Sequence, residues 1–250
     1  NLWKQVACGY NHTAGIQSNG LLWVWGNNQY GQMGITQYIK NIYPSQVSQL
    51  QFTNLRTSRN HVYGLDKFDS SVIQTGDDDT PFIDSSIVWN TFDTGAFHFI
   101  GIKSDGTAWA LGNNDYGQLG LSDTIFRKSL IQIGSNSNWS KVFCADYSTM
   151  LVDSSLNPFT FGINSYGQLG TSDLTHRSSP VQIGSNLWSQ VTCGYYHTTA
   201  IQSDGTLWAW GQNGSGQLGN NSTFTTISPV QIGISSWWTN ISSSGNHMCA

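Results

Sequence analysis

"TLWAWGQNGSGQLG", residues 206–219, decides the fold. Two tryptophans separated by one residue share a face of an extended strand, because side chains alternate along it. A loop of glycines and amides follows at once. The same combination stands at "LLWVWGNNQYGQMG" (21–34), "TAWALGNNDYGQLG" (107–120) and "PFTFGINSYGQLG" (158–170). A single copy would be a candidate site. Several copies are an architecture.

The glycines that end the aromatic segments are Gly26, Gly76, Gly112, Gly162 and Gly211, at intervals of 50, 36, 50 and 49 residues. A period of this length belongs to solenoids, propellers or arrays. Each period opens on Trp, as in "WKQVACGYNHTAGIQ" (3–17), "WSKVFCADYSTMLVD" (139–153) and "WSQVTCGYYHTTAIQ" (188–202). Asn-Gly or Asp-Gly follows at 19–20, 105–106 and 204–205, and predicts a hairpin with a two-residue type I′ turn. Then come the aromatic strand, the glycine-rich loop and "SPVQIG" or a variant. No 3.6-residue periodicity is present. About four short strands per period is the content of a propeller blade, so the predicted class is all-β.

Composition agrees. Charged residues are 10% of the 250, against about 25% in an average domain. Asn, Ser, Thr, Gln and Gly supply the polarity, which suits strands and turns rather than long helices. Net charge is −4 with no Lys/Arg cluster, so no nucleic-acid partner is expected. No apolar run is long enough for a membrane span. The chain begins on Asn1 with no signal-peptide pattern, and is expected to be processed or part of something longer.

The pattern W-x-x-V-x-x-G-x-x-H-T-x-A-I-x-x-D-G-x-L-W-x-W-G-x-N-x-x-G-Q-L-G resembles repeats of the regulator of chromosome condensation (RCC1) type. Residues 188–219 follow it almost throughout, and the resemblance covers nearly the whole chain apart from a poorly matching second repeat. It implies a β-propeller, typically of seven blades. Counted from the opening residues, the repeats fall near 3–53, 54–88 (truncated), 89–138, 139–187 and 188–237, with another beginning at 238–250, all in one propeller region over 1–250. Seven blades at this period need about 350 residues, so the chain is expected to be a segment of a longer protein. A compact five-bladed ring is the other reading.

Repetition assigns most conspicuous residues to structure. His12, His61, His98, His197 and His247 share one position, and Ser148 replaces them in the fourth repeat. Their rings are expected to bond backbone of a neighbouring strand. Cys8, Cys144 and Cys193 are equivalent, lack any C-x-x-C spacing and read as small buried hydrophobes. Trp23, Trp25, Trp109, Trp208 and Trp210 are expected to pack each blade on the next. The amides Asn27, Asn113, Asn164 and Gln212 are expected to satisfy loop backbone. The loop lacks the phosphate-cradling G-x-x-x-x-G-K-[ST].

Function is sought where repeats differ. The second repeat carries Asp77, Asp78 and Asp79 where others have Asn, a group that could bind a cation or a basic partner but does not follow EF-hand spacing. Arg56 and Arg59 are expected to pair with nearby acids. Tyr30, Tyr116 and Tyr166 recur in the loop, and exposed Tyr is a common interface residue. The variable segments 35–50, 121–130, 171–179 and 220–228 bring Tyr38, Tyr43, Phe126, Arg127, His176, Arg177 and Phe224. Six sequons, at Asn11, Asn138, Asn213, Asn220, Asn221 and Asn240, are expected by chance in so Asn-, Ser- and Thr-rich a chain.

No catalytic constellation or cofactor motif is present in the sequence. The expected function is therefore a non-enzymatic scaffold that presents propeller loops to a protein or glycan partner, with self-assembly as a further option. Low charge and a polar uncharged surface favour an extracellular, cell-surface or virion setting over an intracellular one. The alternative is a guanine-nucleotide exchange factor, because the founding member of the resembled family acts on a small GTPase. A glycan-active enzyme using Asp77–Asp79 or Asp84 is the third reading.

Overall fold

The computed structural model describes residues 2–29, 31–33, 40–76 and 87–250. Twenty strands and no helix are found among them. The first sheet holds β1 (Trp3–Cys8), β2 (His12–Gln17), β3 (Leu21–Gly26) and part of β4 (Asn41–Thr57). The rest of β4 pairs with β5 (His61–Asp66), which pairs with β6 (Val72–Gly76). The third sheet is β7 (Trp89–Thr94), β8 (His98–Lys103), β9 (Ala108–Gly112) and β10 (Arg127–Gln132). The fourth is β11 (Trp139–Cys144), β12 (Ser148–Asp153), β13 (Pro158–Gly162) and β14 (Arg177–Gln182). The fifth is β15 (Trp188–Cys193), β16 (His197–Gln202), β17 (Leu207–Gly211) and β18 (Thr226–Gln231). A hairpin of β19 (Ser242–Ser244) and β20 (His247–Cys249) follows. All pairings are antiparallel, and the opening strands β7, β11, β15 and β19 lie beside one another at the centre. The molecule is a β-propeller.

The hairpin turns differ from the expected type. Gly20, Gly106 and Gly205 have φ of 87°, 80° and 82°, while Asn19, Asp105 and Asp204 before them stay out of the left-handed region. Gly106 N–H donates to the Lys103 carbonyl at 3.0 Å. This is a three-residue loop in which a type I turn ends on a left-handed glycine. Asp105 is used differently: its carboxylate accepts from Thr107 N–H at 2.9 Å and from the Thr107 hydroxyl. That hydroxyl in turn accepts from Trp109 Nε1 at 2.9 Å. Asp204, Thr206 and Trp208 repeat the arrangement.

The first two sheets are fused. Leu21 pairs with Gln51 and Phe52 pairs with Asp66, so one uninterrupted strand serves both. Elsewhere the crossing into the next sheet carries Gly134, Gly184 or Gly233, with φ of 59°, 58° and 67°. "SQVSQLQFTNL" (45–55) has no such glycine to bend the chain out of the β region. Phe52, buried against Gly64, stands where the other sheets open on Trp. This repeat therefore opens at Phe52 rather than at the expected Asn54.

Each apolar layer lies between two sheets. Ile100, Ile102, Ala110 and Leu119 of the third sheet meet Trp139, Val142, Leu151 and Phe161 of the fourth. Met150, Val152 and Ile183 of the fourth meet Trp188, Val191 and Trp210 of the fifth. The tryptophan face thus meets the preceding sheet, not the following one. The first sheet's tryptophan face has no such neighbour among the described residues: Trp3 is 43% and Val6 51% exposed, against 1% and 6% for Trp188 and Val191.

The glycine-rich loop seals these junctions. Asn28, Asn114, Asn164 and Asn213 are fully buried, and each side-chain oxygen accepts the backbone N–H five residues on, from Met33, Leu119, Leu169 and Leu218, at 2.8–3.0 Å. Except at Asn164, the amide one residue later than expected carries this role. The loop glutamine's carbonyl is then received by the next sheet: Thr75, Thr149 and Thr198 hydroxyls donate to Gln32, Gln118 and Gln168 at 2.8–2.9 Å. His12 links sheets through backbone, as expected, whereas His98 does so through a side-chain hydroxyl. His12 Nε2 bonds the His61 carbonyl at 3.3 Å, and His98 Nε2 bonds Thr149 Oγ1 at 3.0 Å.

Candidate functional site

The turns between the first and second strands of successive repeats converge on one central cavity of about 420 Å³. Their third residues are Tyr10, Arg59, Ala96, Asp146, Tyr195 and Gly245, and all six line it. The neighbouring Cys8, Thr57, Thr94, Cys144, Cys193 and Ser243 line it too. The cysteines are therefore not sealed in a core, as the sequence suggested. Cys8 is exposed, and Cys144 and Cys193 lie at the cavity wall. Burial pushes the Cys144 thiol well up and the Cys193 thiol to about 12, so neither is a ready nucleophile.

Arg59 is the cation of this ring of turns. Its guanidinium sits 4.9 Å from the Tyr10 ring centre and 5.4 Å from that of Phe97. Contacts of this kind hold a guanidinium against aromatic faces. Two positions around the ring, Asp146 carries the opposite charge. Burial pushes its carboxyl up while Arg59 draws it down. No direct ion pair joins the two residues. The other arginine of the second repeat does find an acid: Arg56 Nε donates to Asp93 Oδ1 at 2.8 Å. Asp93 also accepts from Cys144 N–H at 2.9 Å, so it ties the second, third and fourth sheets together.

A belt of aromatic side chains surrounds the cavity. Tyr116 packs edge-on against Tyr147 and His176, each at 5.6 Å between ring centres, and Tyr166 lies 5.0 Å from Tyr196. Phe97 touches Tyr147 at 6.2 Å, and Tyr195 touches Tyr196 at 6.5 Å. Tyr10, Phe97, Tyr166 and Tyr195 remain open to solvent. Burial pushes the Tyr147 hydroxyl up, helped by the Asp146 charge. Three residues singled out from sequence, Tyr116, Tyr166 and His176, thus join this belt. Tyr10, Phe97, Asp146, Tyr147, Tyr195 and Tyr196 were missed as site residues. Their signal was present: the two residues before the repeat histidine position read Tyr-Asn, Arg-Asn, Ala-Phe, Asp-Tyr, Tyr-Tyr and Gly-Asn, a variable pair inside a constant repeat.

The remaining candidates sit elsewhere. Arg127 pairs with Asp123 and donates to the Ile125 carbonyl at 2.7 Å; Arg177 pairs with Asp173 and donates to the Thr175 carbonyl at 3.0 Å. Both guanidiniums thus brace their own loops. His176 Nδ1 accepts Asn164 N–H at 3.0 Å. Phe126 lines a second cavity of about 200 Å³ between the second and third sheets, with Tyr63, Phe97, Phe99 and Leu111. Tyr30, Asp77, Asp78 and Asp79, with Tyr38 and Asp84, lie outside the described residues. Among the described residues no group of three His, Cys, Asp or Glu side chains is placed to hold a metal ion, and no helix is long and apolar enough to cross a membrane.

Known proteins share this repeat. The regulator of chromosome condensation (RCC1) repeat matches residues 19–62, 105–152, 159–201 and 204–250, and a second profile of the same repeat matches 3–32, 91–118 and 188–217. The mouse X-linked retinitis pigmentosa GTPase regulator is 28% identical over 137 residues, covering 47% of this chain and 14% of that protein. The ultraviolet-B receptor UVR8 of Arabidopsis thaliana is 28% identical over 180 residues, covering 63% of this chain and 40% of that protein. This chain therefore spans less than half of either relative. The crystal structure of Prp20p from Saccharomyces cerevisiae, described with its binding to Gsp1p and histones, superposes with a TM-score of 0.82 at 16% identity. It covers 98% of this chain and 67% of that one.

Proposed function

Because this chain belongs to the RCC1-repeat family, we propose that it is a non-catalytic recognition module whose central cavity and aromatic belt receive a protein partner. The observation that carries this reading is the gathering of Tyr10, Phe97, Tyr166, Tyr195 and Arg59 at one rim. Tyr and Arg dominate the energetics of protein interfaces, and aromatic rings bring large contact area at low entropic cost. The relatives' names fit a regulatory or receptor role, which belongs to those proteins. The rim chemistry favours a protein over a glycan. A secreted, cell-surface or virion setting is part of the proposal and rests on the low charge alone.

The test is affinity capture from a source lysate with the wild-type chain and a Tyr10→Ala/Tyr195→Ala variant of unchanged circular dichroism. The wild type is expected to retain a partner that the variant loses. Equal retention by both moves binding away from this rim. Nucleotide release from a small GTPase, measured with the protein added, decides the exchange-factor alternative.

A further inference from the structure

Arg59 and Asp146 face the same cavity, with the small Ala96 at the equivalent position of the turn between them. No hydrogen bond to another described residue uses the Arg59 N–H groups. Its position comes from Tyr10 and Phe97. The Asp146 carboxylate likewise has no hydrogen-bonding side-chain partner, although its backbone carbonyl accepts Ala96 N–H at 3.2 Å. The Arg59 guanidinium offers only donors and the ionised Asp146 carboxylate only acceptors. The two are near enough for Arg59 to act on Asp146, yet make no direct ion pair.

Building on the rim-binding reading above, we propose that Arg59 and Asp146 form a recognition slot for the uncharged carboxamide of an Asn or Gln side chain of a protein partner. A carboxamide presents an acceptor to Arg59 and a donor to Asp146 from one planar group. A carboxylate meets Asp146 as a like charge, and an ammonium meets Arg59 so. Such mismatches are how interfaces reject wrong partners. A sugar diol has the same donor and acceptor ability but needs an open ring face to stack on. Beside Arg59, one face each of Tyr10 and Phe97 is taken by the guanidinium, and Tyr116 and Tyr147 close on each other at 75°. That favours the side-chain carboxamide.

The experiment uses three acetylated and amidated pentapeptides that differ only in a central Gln, Glu or Lys. Affinity is measured by isothermal titration calorimetry for the wild type and both variants, and the NMR shift of the Arg59 Nε–H locates the bound peptide in the wild type and in Asp146→Asn. The wild type is expected to bind the Gln peptide about tenfold more tightly than either charged one. In Arg59→Gln the Lys peptide moves to first place, and in Asp146→Asn the Glu peptide does. A rank order that survives both substitutions overturns the inference. So does a wild type that prefers a charged peptide, or one whose Arg59 signal moves with none of them. The capture experiment above judges the rim independently, so a partner held there by tyrosines alone separates failure of this inference from failure of that reading.

Discussion

The junction between the fourth and fifth sheets and that between the second and third solve one problem in two ways. At the first, the loop of the fourth sheet buries Leu169 and offers the Gln168 carbonyl to Thr198 Oγ1 and Trp210 Nε1, both at 2.9 Å. At the second, the positions of Thr198 and Trp210 are taken by Phe99 and Leu111, which can donate nothing. Tyr63, Trp89, Phe92 and Phe99 form an aromatic cluster there instead, with Phe92 and Phe99 stacked at 5.7 Å. The Arg56–Asp93 pair adds a charged clasp. The second repeat lost the "GQLG" half, and the third lost the donors that would have received it. Loop and receiver behave as one unit, so a repeat that drops one must drop the other or leave a buried polar group unpaired.

Trp210→Ala is the most severe way to break the regular junction. It empties a fully buried site and removes one of the Gln168 donors, and is expected to lower stability by about 4 kcal/mol in denaturant titration. A loss under 2 kcal/mol would mean the loop, not the ring, holds the sheets together. Arg56→Ala strikes the other junction by leaving Asp93 largely buried without its cation. Because Arg56 is partly exposed, the expected cost is about 2 kcal/mol at pH 7, below that of a fully buried pair, and adding Asp93→Asn should recover most of it.

Acid sharpens the contrast. Burial lowers the His98 pKa to about 3 from 6.5, so its contribution to stability is complete above pH 6.5 and is lost as pH falls toward 3. At pH 5 the expected loss is about 2 kcal/mol. His12 and His197 are shifted the same way, whereas Asp93 is shifted up and gains on protonation. Melting curves from pH 8 to 4 should show the decline, and His98→Gln should flatten it. The smallest effect belongs to Thr198→Val, about 1 kcal/mol, since Trp210 still serves the carbonyl; Phe99→Thr at the other junction should gain nothing in return.

The repeat and the all-β class were legible because each recurs with period and chemistry aligned. The turn type was not, because Asp-Gly serves both a two-residue and a three-residue hairpin, and only backbone pairing separates them. Phe52 escaped notice because the strand it belongs to has no glycine to mark its start. In the belt around the cavity, Tyr116 and Tyr166 could be named because a loop tyrosine recurs, and His176 because its segment varies between repeats. Their neighbours Tyr147 and Tyr196 also vary between repeats, at the pair before the histidine position, but nothing local tells that this turn lies over the loop of the previous sheet. Arg127 and Arg177 read equally well as free cations or as braces; acids four residues earlier, Asp123 and Asp173, make them braces.

The continuous strand Asn41–Thr57 carries a consequence for how the molecule comes apart. Repeat arrays lose structure one unit at a time when neighbours are joined only by side-chain packing. Here two units share a backbone ladder, so neither can open without breaking pairs of the other. Amide hydrogen exchange should therefore find a single cooperative foldon from β2 to β5, while the remaining sheets exchange as separate, smaller steps.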